Sequence, residues 1–130
     1  MSDGAWERVA AYIDNGNSYL SNGQSIINAN SKYKDVYIMG TSDTQADNYL
    51  TNANKYGEAI YETSNGNDSS NSWYNDYSRM PYSGYSWFPR GGRYDSDVSG
   101  GVFSFSLNDG DVFSYYSFRP VVIATTISAP

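Results

Sequence analysis

The chain contains no cysteine and no histidine among its 130 residues. Without cysteine there are no disulfides and no thiolate nucleophiles, and without both residues there is no zinc site of the Cys/His type. Histidine is also the commonest general base, so the many serines lack the usual partner that would activate them. The composition therefore predicts a protein that is not an enzyme.

Positive charge is scarce as well, since 8 Lys and Arg residues stand against 14 Asp and Glu residues for a formal net charge of −6. An acidic chain lacks the basic surface that binds a phosphate backbone, so we expect no nucleic-acid partner. No apolar run approaches the roughly 18 residues of a membrane span, so we expect no membrane insertion. The first ten residues, MSDGAWERVA, lack the basic-then-apolar order of a secretory signal peptide.

Tyrosine is abundant, with 14 copies, and it is accompanied by many Ser, Asn, Gly and Asp residues. One interpretation is a loop-rich extracellular β protein. The other is a recognition surface, because tyrosine offers a large contact area at low entropic cost while Ser, Gly and Asn adapt their hydrogen bonds. The length predicts one domain over residues 1–130.

The first half of the chain gives mixed local signals. Residues 6–13 fit either a helical stripe or an alternating strand, and periodicity does not decide between them. Residues 24–34 are equally ambiguous. Val36 to Met39 predicts a short buried strand before Gly40.

The clearest predicted helix runs from Ser42 to Tyr56. Ser42 and Gln45 have the spacing of a capping box, and Gly57 stands where a helix C-terminal cap belongs. Apolar residues recur at steps of three and four, which predicts a stripe that packs on a sheet. The stripe consists of Ala46, Tyr49, Leu50, Ala53 and Tyr56.

Further along, Glu58 to Thr63 alternates as a strand would, and Ser64 to Asn71 is a polar loop. A last strand is predicted from Phe118 to Ile127. Asp109-Gly110 has the form of a hairpin turn, which would place its flanking residues at an exposed tip.

The segment from Val102 to Asn108 has an alternating pattern. In an extended chain successive side chains point to opposite faces. Phe103, Phe105 and Leu107 would share a buried face. Ser104, Ser106 and Asn108 would share an exposed one. This layout predicts a scaffold strand that carries a contact surface.

Large aromatic residues are predicted to form the core, because buried aromatics dominate the packing of small domains. They are Trp6, Trp87, Phe103, Phe105 and Phe118. Arg90 and Arg119 are interpreted as structural side chains with fixed hydrogen-bond partners, and Glu7 is a candidate partner for one of them. Four glycines, at positions 91, 92, 100 and 101, are interpreted as turn and close-packing positions.

Three fragments carry a family resemblance: Gly4-Ala5-Trp6-Glu7, Trp87-Phe88-Pro89-Arg90-Gly91-Gly92 and Ser117-Phe118-Arg119-Pro120-Val121. Their order and spacing resemble the C-type-lectin-fold proteins of the formylglycine-generating enzyme and sulfatase-modifying factor superfamily. The chain is most similar to a non-catalytic phage and prophage branch, which includes variable proteins diversified by retroelements. The resemblance implies an α+β domain with a C-type lectin-like fold, shortened at its N-terminus, with antiparallel strands and one or two helices.

The same resemblance implies a function. The catalytic branch of the superfamily depends on cysteines, which this chain lacks, so that chemistry is excluded. What remains is a ligand-binding or receptor-binding protein with variable residues in a constant frame. Its partner would be a protein or glycan ligand on a target surface, and its location a virion, the extracellular space or a cell surface. The implied variable positions are Arg93, Asp95, Ser96, Asp97, Ser104, Ser106, Asn108, Asp109, Asp111, Phe113, Ser114, Tyr115 and Tyr116.

Two further expectations concern assembly and metals. A lectin-like fold without its first strand would leave a sheet edge unpaired, which predicts a homo-oligomer. The alternative function is accordingly a structural, self-assembling subunit of a fibre or surface assembly. Lectin folds often bind calcium, and four aspartates offer oxygen ligands. Their spacing does not match a calcium loop, so no cofactor is predicted and the aspartates are interpreted as solvated carboxylates. They are Asp95, Asp97, Asp109 and Asp111.

Overall fold

The computed structural model describes residues 4–16, 20–55, 59–64 and 72–119, which form an α+β arrangement as predicted. Its strands are β1 (Trp6–Asp14), β2 (Asp35–Ile38), β3 (Trp87–Arg90) and β4 (Tyr116–Ser117). Its α-helices are α1 (Gln24–Ile27), α2 (Gln45–Thr51) and α3 (Ala59–Thr63). None of the helices within these ranges has the length and apolar character needed to cross a membrane.

Strand β1 is the centre of the sheet, and every other strand pairs with it. The order is β2-β1-β3, with β4 also paired to β1. β1 runs parallel to β2 and to β4, and antiparallel to β3. The expected antiparallel sheet with one or two helices is therefore wrong. The connection from β1 to β2 is long enough to contain α1, and such a crossover allows parallel pairing.

The ambiguity over residues 6–13 is resolved as a strand because β1 is covered on both faces. Ala11, Tyr12 and Ile13 are consecutive and all buried. A strand that is buried on both faces carries apolar residues without strict alternation, so its sequence does not show a clear period of two.

Two apolar clusters lie on the two sides of the sheet. The larger one consists of Ala11, Ile13, Tyr37, Ile60, Met80, Phe88 and Phe105. The smaller one consists of Tyr12, Leu20 and Trp87, with Ile26, Ile27 and Val36 packed against it. The helix α3 and the segment around Met80 cover one side, and α1 covers the other.

Helix α2 is shorter than predicted and begins later. Its N-cap is Thr44, whose side chain accepts a hydrogen bond from the backbone N–H of Asp47 at 3.1 Å. The capping box predicted from Ser42 is wrong, since the Ser42 N–H instead donates to the Asp47 carboxylate at 2.7 Å. The predicted end of the helix at Tyr56 and its glycine cap lie outside the described residues.

The inward face of α2 carries amides rather than the predicted apolar stripe. Asn48 and Asn52 are buried, whereas Leu50 is 71% exposed. The side chain of Asn52 accepts from the Ile38 N–H and donates to the Ile38 carbonyl, both at 2.8 Å. It thereby covers backbone groups of β2, a strand at the edge of the sheet.

The remaining local predictions have mixed outcomes. The strand predicted from Val36 is confirmed as β2. The strand predicted over Glu58–Thr63 is wrong, because residues 59–63 form α3 and bury Ile60 and Thr63. Residues 24–34 contain α1 and a 3₁₀ turn, Ser31–Tyr33. Residue 58, residues 65–71 of the predicted polar loop and residues 120–127 of the predicted last strand lie outside the described ranges.

The aromatic core prediction is right for Trp6, Trp87 and Phe105, which are buried. It is wrong for Phe103, which is half-buried and packs against the exposed rings of Trp73 and Tyr74. It is also wrong for Phe118, which is 79% exposed. The predicted ion pair is confirmed, since an Arg119 guanidinium nitrogen lies 3.0 Å from a Glu7 carboxylate oxygen.

Two glycines are required by the packing around the sheet. Gly23 precedes α1 with φ 77°, and a Cβ there would lie 2.3 Å from the Trp87 ring. Gly92 follows β3 with φ 75°, and a Cβ there would lie 2.8 Å from the Cα of Gly100. Glycine alone tolerates both the left-handed backbone and the close approach. The turn and close-packing interpretation of Gly92 and Gly100 is therefore confirmed.

Candidate functional site

The segment from Val102 to Asn108, predicted as a strand with one exposed face, is not a regular strand. Phe105 forms isolated bridges with Ser78 and Arg90. The Phe105 N–H donates to the Tyr77 carbonyl at 3.0 Å, and the Ser106 N–H donates to the Pro89 carbonyl at 3.0 Å. The segment is thus inserted between β3 and residues 77–79, so protein covers it on both sides.

Because the segment is covered on both sides, alternation does not separate buried from exposed residues. Ser104 and Phe105 are both fully buried, although they are neighbours. The Ser104 hydroxyl donates to the Tyr77 carbonyl at 3.0 Å, and its own carbonyl accepts from Gly91. The placement of Ser104 on a variable surface is therefore wrong. Ser106 is half-buried and lines a cleft with Trp6.

Asn108 and its neighbours also differ from the predicted exposed tip. Asn108 is buried, and its backbone exchanges two hydrogen bonds with Trp87, at 2.8 and 2.9 Å. Its side-chain oxygen accepts from the Gly110 N–H at 2.8 Å. No strand flanks Asp109-Gly110 on either side in the part of the chain described here, so the hairpin prediction is wrong. Asp109 is half-buried and Asp111 is exposed.

The predicted residues that follow β3 form a compact turn. Arg93 and Asp95 are an ion pair, with 2.5 Å between guanidinium and carboxylate atoms. The Ser96 hydroxyl accepts from the Arg93 N–H at 3.0 Å, and Asp97 opens a 3₁₀ turn with φ 51°. Asp95 and Asp97 are exposed, whereas Ser96 is half-buried.

The predicted residues nearest the C-terminus form an aromatic cluster beside that turn. Phe113 stacks on Tyr115, with 5.5 Å between ring centroids and 9° between ring planes. Tyr116 lies 5.0 Å from Tyr115 and 6.0 Å from Phe113. The Arg93 guanidinium lies 4.7 Å from the centre of the Tyr115 ring. Residues from two separate stretches of sequence therefore meet.

Arg8 completes this group, and sequence reasoning missed it. Its guanidinium lies 4.9 Å from the centre of the Tyr116 ring and donates to the carbonyls of Gly110 (2.6 Å) and Asp111. One side chain of β1 thus holds both the 110–111 backbone and the aromatic cluster. The only available signal was that Arg8 alternates with apolar residues in a central strand.

We call this group the aromatic surface. Phe113 is 41% exposed, and Tyr115 and Tyr116 are half-buried. Two neighbouring apolar side chains, Val112 and Phe118, are largely exposed. Ser114, also a predicted variable position, is exposed in the turn between the rings. The aromatic surface consists of Arg8, Arg93, Asp95, Phe113, Tyr115 and Tyr116.

Burial raises the pKa of Tyr116 above its ordinary value of 10.0, and the neighbouring Tyr115 adds to this rise. The hydrogen bond with the Asn108 side chain and the charge of Arg8 oppose it. The phenol of Tyr116 is therefore held in its neutral form, and the ring acts as a packed, hydrogen-bonded part of the surface.

This pKa rise predicts a loss of stability at high pH. The unfolded tyrosine ionises near its ordinary pKa of about 10, before the folded one does. In that range the unfolded state binds fewer protons, so the free energy of unfolding falls as pH rises through the folded pKa. Tyr116→Phe removes the ionisable group, and urea unfolding at a series of pH values should show a smaller fall. Tyr74→Phe, at an exposed position, should leave the fall unchanged; an equal change in both variants would contradict the assignment.

The four aspartates considered as calcium ligands do not gather into one site. Asp95 pairs with Arg93, and the Asp109 carboxylate accepts from the Asp111 N–H at 3.0 Å. The Asp111 carboxylate in turn accepts from the Val112 N–H at 2.8 Å. Over the described ranges, no three acidic residues lie close enough together to hold a metal ion. The expectation of a protein without a cofactor stays a prediction.

Comparisons with protein-family models, with curated proteins and with solved structures found no match. The lectin-fold resemblance thus depends on its sequence motifs, and the function has to be argued from the geometry of the aromatic surface.

Proposed function

We propose that this protein is a non-enzymatic ligand-binding module that contacts a protein or glycan on a target surface through the aromatic surface. The observation that carries the proposal is the meeting of two separate stretches, 93–95 and 113–116, in one partly exposed cluster. Both stretches were selected from sequence as variable contact positions, before their spatial proximity was known.

The chemistry of the aromatic surface suits recognition. Tyrosine and arginine are enriched at the energetic centres of protein interfaces, because they combine a large apolar area with polar ends. Here Arg93 and Arg8 lie over tyrosine rings and Asp95 supplies a carboxylate at the rim. Such a surface can hydrogen-bond a ligand and pack against it at the same time.

The frame around the surface supports substitution of its exposed side chains without loss of the fold. β4 pairs with β1 through backbone groups, at Trp6↔Tyr116 and Glu7↔Ser117. The Arg8 guanidinium binds backbone carbonyls rather than variable side chains. Changes at 113–115 would therefore alter the surface while the backbone contacts remain.

The finer proposal is a C-type lectin-like variable protein of phage or prophage origin, diversified by a retroelement and displayed on a virion or cell surface. Its support is the convergence of the three motif fragments on the start of β1. Glu7 is the strand partner of Arg90 on one side and of Ser117 on the other, and it pairs with Arg119. These residues come from all three fragments.

The gene's surroundings test the diversification. We expect a reverse-transcriptase gene nearby and a second, near-identical copy of the segment coding for residues 93–116. The two copies should differ chiefly at adenines. Finding neither would contradict diversification without affecting the ligand-binding proposal.

A binding experiment tests the aromatic surface itself. Fluorescently labelled protein is applied to a panel of intact bacterial strains and to a glycan array, and the strongest binder is titrated. Tyr115→Ala should weaken binding by about thirtyfold, since a central aromatic contact contributes about 2 kcal/mol. Tyr74→Ala removes an exposed tyrosine elsewhere and should leave the affinity unchanged. Equal affinity of wild type and Tyr115→Ala would contradict the proposal.

The second candidate function is self-assembly into a fibre or surface array, with a homo-oligomer as the unit. It is favoured by the exposed apolar side chains of Val112 and Phe118 beside the aromatic surface. Sedimentation of wild type and of a Phe118→Ser variant separates the two functions. A wild-type oligomer that dissociates in the variant and binds no ligand on either panel would support assembly.

A further inference from the structure

A second site is present on the other side of β1, and it shares no residue with the aromatic surface. It is an open cleft of about 550 Å³ between β1 and the segment that leads into β2. This volume lies within the range of small-molecule sites. The cleft is lined by Val9, Ala10, Ala11, Ser31, Lys32, Tyr33, Lys34, Asp35, Tyr37, Phe88 and Arg90.

The charge of this cleft is opposite to that of the chain. Lys32, Lys34 and Arg90 line it, although the whole chain carries a net charge of −6. The one acidic lining residue, Asp35, is paired with the Lys55 ammonium at 3.0 Å. The cleft is therefore a local positive region, which attracts an anion.

The two lysines are held in place by the local fold. The Asn30 side chain accepts from the Lys32 N–H at 3.1 Å and so fixes the 3₁₀ turn that carries Lys32. The Lys34 ammonium donates to the Ile27 carbonyl, and an ammonium has two further N–H donors for a ligand. The Lys32 ammonium lies 4.8 Å from the centre of the Tyr33 ring.

The floor of the cleft is apolar and aromatic. Tyr37 and Phe88 are buried core residues, with 4.8 Å between their ring centroids. Ala11 is also buried beside them, and the small side chain of Ala10 leaves the β1 wall open. Tyr33 is 58% exposed and presents a flat ring at the rim. A ligand therefore meets cations on one side and flat apolar surfaces on the other.

We propose that this cleft binds a small organic carboxylate built on a ring. The carboxylate pairs with the ammonium groups of Lys32 and Lys34, and the ring packs against the aromatic floor and Tyr33. Specificity for the charged form follows because the neutral analogue would leave the two ammonium groups without a counter-ion in the cleft. The inference does not depend on the function of the aromatic surface.

The test uses defined probes and the whole protein. Glucuronate and benzoate represent the sugar and aromatic sources of such a ring, and glucose and benzamide are their neutral analogues. Titrations are followed by calorimetry and by backbone amide shifts in NMR spectra. At least one carboxylate should bind about tenfold or more tightly than its neutral analogue, with amide shifts at residues 31–35.

Matched variants then assign the binding to the cleft. Lys34→Met should weaken carboxylate binding about tenfold. Lys32→Met, at an exposed position, provides a second reading if the loss of the Ile27 contact impairs folding in Lys34→Met. Arg79→Gln removes one positive charge outside the cleft and should leave the affinity unchanged.

Four outcomes would overturn the proposal. They are no detectable binding of either carboxylate, equal binding of the neutral analogues, unchanged affinity in both lysine variants, and inorganic phosphate binding as tightly as the ring carboxylates. The binding of cells or glycans by the aromatic surface is measured with Tyr115→Ala, so failure of one proposal leaves the other separately testable.

Discussion

Phe105→Ala is expected to lower the free energy of unfolding by about 3–5 kcal/mol, because truncation of a buried phenylalanine removes apolar contacts and leaves a cavity. Phe105 is fully buried and its ring lies 6.3 Å from that of Phe88, while the Arg90 guanidinium lies 5.9 Å from the centre of the ring. The ring therefore packs under β3, and its loss weakens the support of the central sheet. Urea unfolding followed by tryptophan fluorescence measures the change.

The matched control is Phe118→Ala, the same substitution at a position that is 79% exposed. It should change the free energy of unfolding by no more than about 0.5 kcal/mol, as surface substitutions do. A large loss in Phe118→Ala together with a small loss in Phe105→Ala would reverse the assignment of core and surface.

Asn48→Ala is expected to cost about 2–5 kcal/mol, because each buried backbone group left without a partner costs about 1–3 kcal/mol. The Asn48 side-chain oxygen accepts from the Gly40 N–H at 2.7 Å. Its amide nitrogen donates to the Pro81 carbonyl at 3.0 Å and to the Asp43 carboxylate at 3.1 Å. One side chain thus joins α2 to two loops, and Ala satisfies none of these groups.

Leu50→Ala on the same helix is the control for the asparagine. Leu50 is 71% exposed, so its truncation should change the free energy of unfolding by no more than about 0.5 kcal/mol. Both variants are measured by urea unfolding. If Leu50→Ala were the more damaging change, the apolar stripe predicted from sequence would be right and the amide-lined face of α2 wrong.

Helix α2 shows why periodicity is an incomplete guide to the buried face of a helix. The spacing of Tyr49 and Leu50 fits an inward stripe, but a helix that packs on loops and on an edge strand has to satisfy backbone groups as well as bury carbon. Asn48 and Asn52 do this through amides that both accept and donate. Residue hydrophobicity does not reveal such a role.

The segment from Val102 to Asn108 illustrates a second limit. Its alternation correctly indicates that Phe105 is buried, but it places Ser104 and Asn108 on the wrong side of the surface. Alternation separates the faces of a strand only when one face meets solvent. Here the segment is enclosed by β3 and by residues 77–79, and small polar residues fit because their hydroxyl or amide groups find backbone partners.

The candidate site was predictable in part. Sequence selected the 93–97 and 113–116 stretches, but only their contact in space indicates that Arg93 and Tyr115 belong to one surface. Arg8 was missed because it is more than a hundred residues away from the backbone it binds. The cationic cleft was missed for the same reason, since its walls come from β1, from β3 and from the segment before β2.

The sequence by itself determined what chemistry is absent, where glycine must stand, and which aromatic residues are available for a core or a contact surface. These properties follow from residue identity and local conformation. Only the tertiary structure decided that β1 is central and mainly parallel-paired, that Ser104 is interior, and which arginines lie over which rings. Such features depend on contacts between distant parts of the chain, which a local pattern of residues does not encode.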